Sequence, residues 1–81
     1  MNINSAIIQG AKVLKDNSIK NPYLDSEILM TKAIQKDRKY ILLNNKRDID
    51  TKDLNTFHEL IKKRSIGKPI AYLTNKKFFW K

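Results

Sequence analysis

The chain contains no cysteine. Disulfide staples and thiolate metal sites are excluded, and nothing points to an oxidising compartment. Glycine is nearly as scarce. Gly10 and Gly67 are the only two and lie far apart, so no glycine-rich loop for a phosphate or a dinucleotide cofactor can be assembled. The single histidine, His58, has neither a second histidine nor a cysteine with which to share a metal ion. Ser5, Ser18, Ser26 and Ser65 have no elbow motif or neighbouring base that would make a nucleophile of one of them. The longest apolar runs, Ile28-Leu29-Met30 and Tyr40-Ile41-Leu42-Leu43, fall far short of the ~20 residues that span a bilayer. Met1-Asn2-Ile3-Asn4-Ser5 lacks the basic and apolar regions of a signal peptide, so a cytoplasmic location is expected. Negative charge is also in short supply: 8 acidic residues face 17 basic ones, for a net charge of +9.

What is present fits one small domain. A chain of 81 residues buries about 60–65% of the surface that its unfolded form exposes, which calls for a compact core. The positive balance favours acidic partners. It also has a plain compositional explanation. Lys, Ile and Asn make up 33 of the 81 residues, as in an AT-rich genome whose surface positions drift to lysine. Fourteen of the cations are lysine, and only Arg38, Arg47 and Arg64 carry the fork that reads phosphates and bases bidentately.

Helical periodicity dominates. Ile3, Ile7, Ala11 and Leu14 share a face, with Ala6 and Val13 beside it, and predict a helix from about Asn4 to Lys15 capped by Asn4 or Ser5. Gly10 inside it either permits a close crossing or is incidental. Asn21-Pro22 is a strong start signal, because the missing N–H of proline is free to be missing at the first helical position. Leu24, Ile28, Leu29, Ala33 and Ile34 then give a face broad enough for the central helix of a bundle, ending near Gln35. Asp25 and Glu27 place negative charge at the positive end of its dipole. Asp37 caps a short helix over Arg38–Leu43, whose dense Tyr40–Leu43 run reads as a plug between longer helices; a buried strand is the competing reading. Asp50 or Thr51 opens a helix with Leu54, Phe57, Leu60, Ile61 and Arg64 on one face, cations in its last turns, and Gly67 as its left-handed terminator. Pro69 starts a final turn through Ile70–Leu73. Lys76-Lys77-Phe78-Phe79-Trp80-Lys81 reads as the beginning of a strand whose two faces need cover from further chain. The carboxylates read as helix caps and solvated surface charges.

Three stretches resemble one family. Asn21-Pro22-Tyr23-Leu24-Asp25-Ser26-Glu27-Ile28-Leu29 resembles the x-P-x-L-D-A-E-L-L helix opening of the HemK (PrmC) family. Asp37-Arg38-Lys39-Tyr40-Ile41-Leu42 resembles its D-R-x-x-L. Pro69-Ile70-Ala71-Tyr72-Leu73 with Phe79-Trp80, and Gly67 in step, resembles G-x-P-x-x-Y-L-x-G-x-x-x-F-W-G. Asn75 and Lys81 stand where that pattern often has glycine. The resemblance implies an all-α fold, a small bundle of four to five helices over residues 1–74, with the start of a β linker at residues 75–81. It implies the N-terminal substrate-recognition domain of an S-adenosylmethionine-dependent protein-glutamine methyltransferase that modifies the Gly-Gly-Gln motif of bacterial peptide chain release factors. The catalytic and cofactor motifs of that family lie in its second domain, so no catalytic, cofactor-binding or metal-ligating residue is expected here. Expected partners are release factors and the chain's own methyltransferase domain, with no membrane.

Pro69, Tyr72, Phe79 and Trp80 are the expected interdomain and linker packing residues. Lys62, Lys63, Arg64 and Lys68 form a candidate partner-facing basic cluster, with solvated helix-end charges as the plainer alternative. Read without the resemblance, the same lysines beside aromatics suggest a freestanding nucleic-acid-binding bundle. That alternative is disfavoured because no helix is rich in Arg, Asn or Gln at recognition positions.

Overall fold

In the computed structural model of the chain, residues 1–74 are described. They form five helices: α1 Ile3–Asp16, α2 Pro22–Ile34, α3 Arg38–Leu43, α4 Thr51–Ser65 and α5 Ile70–Thr74. The small all-α bundle is the expected fold. The anticipated linker strand, with Phe79 and Trp80, lies outside the described residues.

α2 is the hub and packs against each of the other four helices. Its core-facing residues are Ser26, Leu29, Met30 and Ala33, the i, i+3, i+4, i+7 set of one helical face. Ile3, Ala6, Ile7 and Leu14 of α1, Ile41 of α3, Phe57 and Ile61 of α4 and Leu73 of α5 complete the core. α1 and α2 cross at Gly10. A Cβ there would lie 2.7 Å from Ser26 Oγ and 2.8 Å from Phe57 Cζ, so this glycine is required for close approach and is not incidental. Ser26 Oγ donates to the Ile7 carbonyl at 2.7 Å across the same crossing.

The start of α1 differs from expectation. Asn2, not Asn4 or Ser5, is the N-cap, and its Oδ1 accepts from Ser5 N–H at 2.7 Å. The reason lies in the α3–α4 loop. Ile3 N–H donates to Arg47 O at 2.9 Å and Asn4 N–H to Asn45 O at 2.8 Å. Ile49 N–H returns to Met1 O at 3.0 Å. Amides at a helix start have no partner inside the helix. Here the loop supplies the carbonyls, so the helix begins earlier than its own side chains indicate.

Three apolar residues are also placed differently. Leu24 is 44% exposed, because the buried face of α2 runs through Asp25, Ser26 and Leu29 instead. The plug expected over Tyr40–Leu43 reduces to Ile41, with Tyr40 half-buried; Leu42 and Leu43 are 62% and 74% exposed. α3 is helical, and a single short helix lying on α2 can turn only about one residue in four inward.

α4 ends as its residues suggest. Gly67 adopts φ +103°, its N–H bonds Arg64 O at 3.0 Å, and Lys68 N–H bonds Lys63 O at 3.3 Å. α2 ends without glycine: Gln35 takes the left-handed cap position at φ 58°. Among the described residues no helix is long and apolar enough to cross a membrane.

Candidate functional site

Among the described residues, two surfaces are candidates for binding: the α4–α5 end and a groove between α1 and α2. At the α4–α5 end, Lys62, Lys63 and Lys68 are exposed as the cluster requires. Arg64 is not. Its Nε donates to Asp25 Oδ2 at 3.0 Å, and its Nη1 donates to Lys68 O at 3.0 Å. The two side chains of the pair are 22% and 11% exposed. Arg64 is thus spent on an internal contact between α2 and the α4–α5 turn, and the outward charge of the cluster is carried by lysines.

Pro69 is exposed and opens α5; Tyr72 is 68% exposed, with Lys68 Nζ 5.4 Å from its ring centroid. Ile66, in the turn, is 71% exposed. Leu73, on the other side of α5, is buried and its N–H bonds Pro69 O at 3.1 Å. Leu73, with Ile70 partly buried against the same core, anchors α5, while Tyr72 stays exposed. Phe79 and Trp80 lie outside the described residues.

The carboxylates of α2 correct the reading of them as solvated charges. Asp25 and Glu27 are 8% and 4% exposed. Each has an arginine partner: Glu27 Oε1 lies 2.8 Å from Arg38 Nε, and Asp25 is held by Arg64. A buried carboxylate needs such a partner, because removing it from water costs several kcal/mol. Two of the chain's three arginines are used in this way. The available signal was Arg standing out at Arg38 and Arg64 in a lysine-rich chain, since arginine is favoured for partly buried ion pairs.

The α1–α2 groove was not anticipated. Ile8, Ala11, Lys12, Lys15, Asp16, Pro22 and Tyr23 line an open depression of about 460 Å³. Ile8 and Tyr23 are each about half exposed, and Lys12 pairs with Asp16 at 3.7 Å on its lip. His58 is exposed, and its ring sits beside Phe57 at 6.2 Å. No group of three or more His, Cys, Asp or Glu comes together among the described residues.

The family model described as the PrmC N-terminal domain matches residues 5–74. The chain belongs to the PrmC N-terminal domain family. Among similar proteins, a release factor glutamine methyltransferase of Buchnera aphidicola (Schizaphis graminum) is 35% identical over 80 residues, covering 99% of this chain and 28% of the relative. One from Clostridium acetobutylicum is 32% identical over 76 residues, covering 94% of this chain and 27% of the relative. A bifunctional methyltransferase of Rickettsia bellii is 30% identical over 78 residues, covering 96% of this chain and 14% of the relative. The chain thus spans a little over a quarter of the length of these two release factor glutamine methyltransferases. No solved structure matches it. In this PrmC N-terminal domain the two arginine-held carboxylates fall inside the motifs of the resemblance: Asp25 and Glu27 in the first, and Arg38 in the second.

Proposed function

We propose that this domain orients a protein substrate for an S-adenosylmethionine-dependent methyltransferase that modifies the Gly-Gly-Gln glutamine of peptide chain release factors. The match of residues 5–74 to the PrmC N-terminal domain carries the reading, supported by relatives named release factor glutamine methyltransferases. Residues 1–74 would form the recognition bundle and residues 75–81 the start of the connection to a methyltransferase domain, where the cofactor and the catalytic groups would reside. The described residues do not fit the cofactor themselves. Gly10 is packed into a helix crossing and Gly67 terminates α4, so neither belongs to a loop that could cradle it.

The chemistry accounts for such a module. An amide nitrogen is a weak nucleophile, so its methylation depends on accurate placement against the methyl donor. Contacts remote from the reacting atoms can supply that placement. The positive balance of the chain would speed encounter with an acidic protein surface. The nucleic-acid alternative is weakened, because Arg64, the one arginine of the basic cluster, is held by Asp25.

The test is deletion of residues 1–73 from the full-length enzyme. The KM for release factor is expected to rise while turnover at saturating substrate is kept. An unchanged kcat/KM would rule out the recognition role.

A further inference from the structure

Of the four cations at the end of α4, Arg64 alone turns inward, and its rigid fork has two customers. One is Asp25 in the first turns of α2; the other is the carbonyl of Lys68, just past Gly67. The guanidinium therefore ties the hub helix to the turn that launches α5. Backbone bonds from Gly67 to Arg64 and from Lys68 to Lys63 close the same turn, and buried Leu73 fixes the inner side of α5. What this arrangement holds outward is a combination of Ile66, Lys68 and Tyr72, all exposed, next to Lys62 and Lys63 in the last turn of α4.

We propose that the Ile66–Lys68–Tyr72 face docks a carboxylate-bearing, apolar segment of the protein substrate, and that Arg64 is the residue that positions this face. The proposal rests on the substrate-orienting reading above and names its surface. Charge selects the occupant. Asp25, the carboxylate that packs here, is neutralised by Arg64, which leaves Lys62, Lys63 and Lys68 to be answered by a partner. Two exposed apolar side chains beside three lysines match a protein segment that presents a carboxylate next to a bulky group. A nucleic acid fits less well. The forked cation that phosphates favour is already occupied, and the Lys68 ammonium sits over one face of the Tyr72 ring on which a base would stack. Arg64 acts through the turn and does not touch the partner. A lysine in its place keeps the charge but offers a single ammonium on a flexible stem, which does not reproduce a rigid fork aimed at both Asp25 and Lys68 O.

The experiment titrates the 81-residue chain with a class I release factor, following backbone amides by NMR and measuring the Kd. Shifts are expected to centre on Ile66–Leu73. Lys68→Glu is expected to weaken binding about tenfold and Tyr72→Ala to weaken it as well, while Lys12→Glu in the α1–α2 groove leaves it unchanged. Arg64→Lys is expected to weaken binding about fivefold, to lower Tm by several degrees without unfolding the domain, and to speed amide exchange at Leu73. Faster exchange at Leu73 with wild-type affinity would overturn the positioning role. Shifts centred on Ile8 and Tyr23, or full affinity in Lys68→Glu, would overturn the face and leave the substrate-orienting reading standing. Binding of single-stranded polyuridine but not release factor would overturn the protein assignment. Absence of any release factor binding by the wild-type chain would remove the reading along with the face.

Discussion

Replacing Gly10 by alanine sets a gain in helix propensity against a loss in packing. The propensity gain is about 1 kcal/mol. Against it, a Cβ at this position would sit 2.7 Å from Ser26 Oγ, 2.8 Å from Ile61 Cδ1 and 2.8 Å from Phe57 Cζ. Ile61 Cδ1 is the end of a flexible side chain and can rotate away. Ser26 and Phe57 cannot. Both are fully buried, and Ser26 Oγ is fixed by its bond to the Ile7 carbonyl. Overpacking of this kind costs about 1–3 kcal/mol. Loss of the Ser26 bond adds about 1 kcal/mol. The net expectation is destabilisation by about 2 kcal/mol, which in a domain of this size lowers Tm by roughly 8–16 °C. Thermal and urea unfolding followed by circular dichroism measure it, with an unchanged m value showing that the unfolded state is not the cause. The double variant Gly10→Ala/Ser26→Ala removes the hydroxyl that the new methyl meets. It should recover about 1 kcal/mol of coupling relative to the sum of the single variants. Alanine is the residue that the family pattern carries at the Ser26 position. A Tm at or above wild type for Gly10→Ala would show that α1 and α2 separate without cost, and the account of the crossing would be wrong.

Other perturbations isolate single terms. Gly67→Ala meets no atom within 4 Å, so its cost is purely that of φ +103° for a residue with a Cβ, about 1–2 kcal/mol in urea unfolding. Asp37→Ala removes the side-chain acceptor 2.9 Å from Tyr40 N and should cost about 1 kcal/mol, with Asp37→Ser recovering most of it in the same assay. Leu42→Lys and Leu43→Lys should each change stability by less than about 0.5 kcal/mol, because both side chains face solvent; a large loss by thermal unfolding would mean that α3 does form the plug.

Those expectations follow the division between what local sequence encodes and what it does not. The bounds of α3 and the start of α2 are readable because their signals are local: Asp37 reaches its own helix three residues on, and Pro22 fits the first position of a helix but not its interior. The α4 terminus is readable for the same reason, with Gly67 taking the positive φ. The start of α1 is not, because the carbonyls that receive Ile3 and Asn4 N–H belong to a loop more than forty residues away. Leu24 and Leu42 show the limit of counting apolar residues. Both sit among apolar neighbours in sequence, yet the buried stripe of each helix is narrower than the apolar run, and packing against α1, α2 and α4 decides which residues fall inside it.

The candidate site was legible only in outline for a related reason. Lys62-Lys63-Arg64 reads as one basic block, but its members do opposite things. The lysines stay hydrated, while Arg64 leaves the surface to meet Asp25, thirty-nine residues earlier. Nothing local distinguishes them except chemistry. A guanidinium can join a carboxylate and a backbone carbonyl at once, and it is more weakly hydrated than an ammonium, so it is the cation that a tight turn can afford to enclose. The same logic explains why Asp25 and Glu27, which look like ordinary charges at a helix start, are buried in α2 opposite arginines. In this lysine-rich chain, two of the three arginines mark carboxylates buried in α2, while the lysines at the end of α4 stay exposed. Arg47 is the exception: its carbonyl receives Ile3 N–H but its side chain is exposed, so Arg47→Lys should leave Tm unchanged.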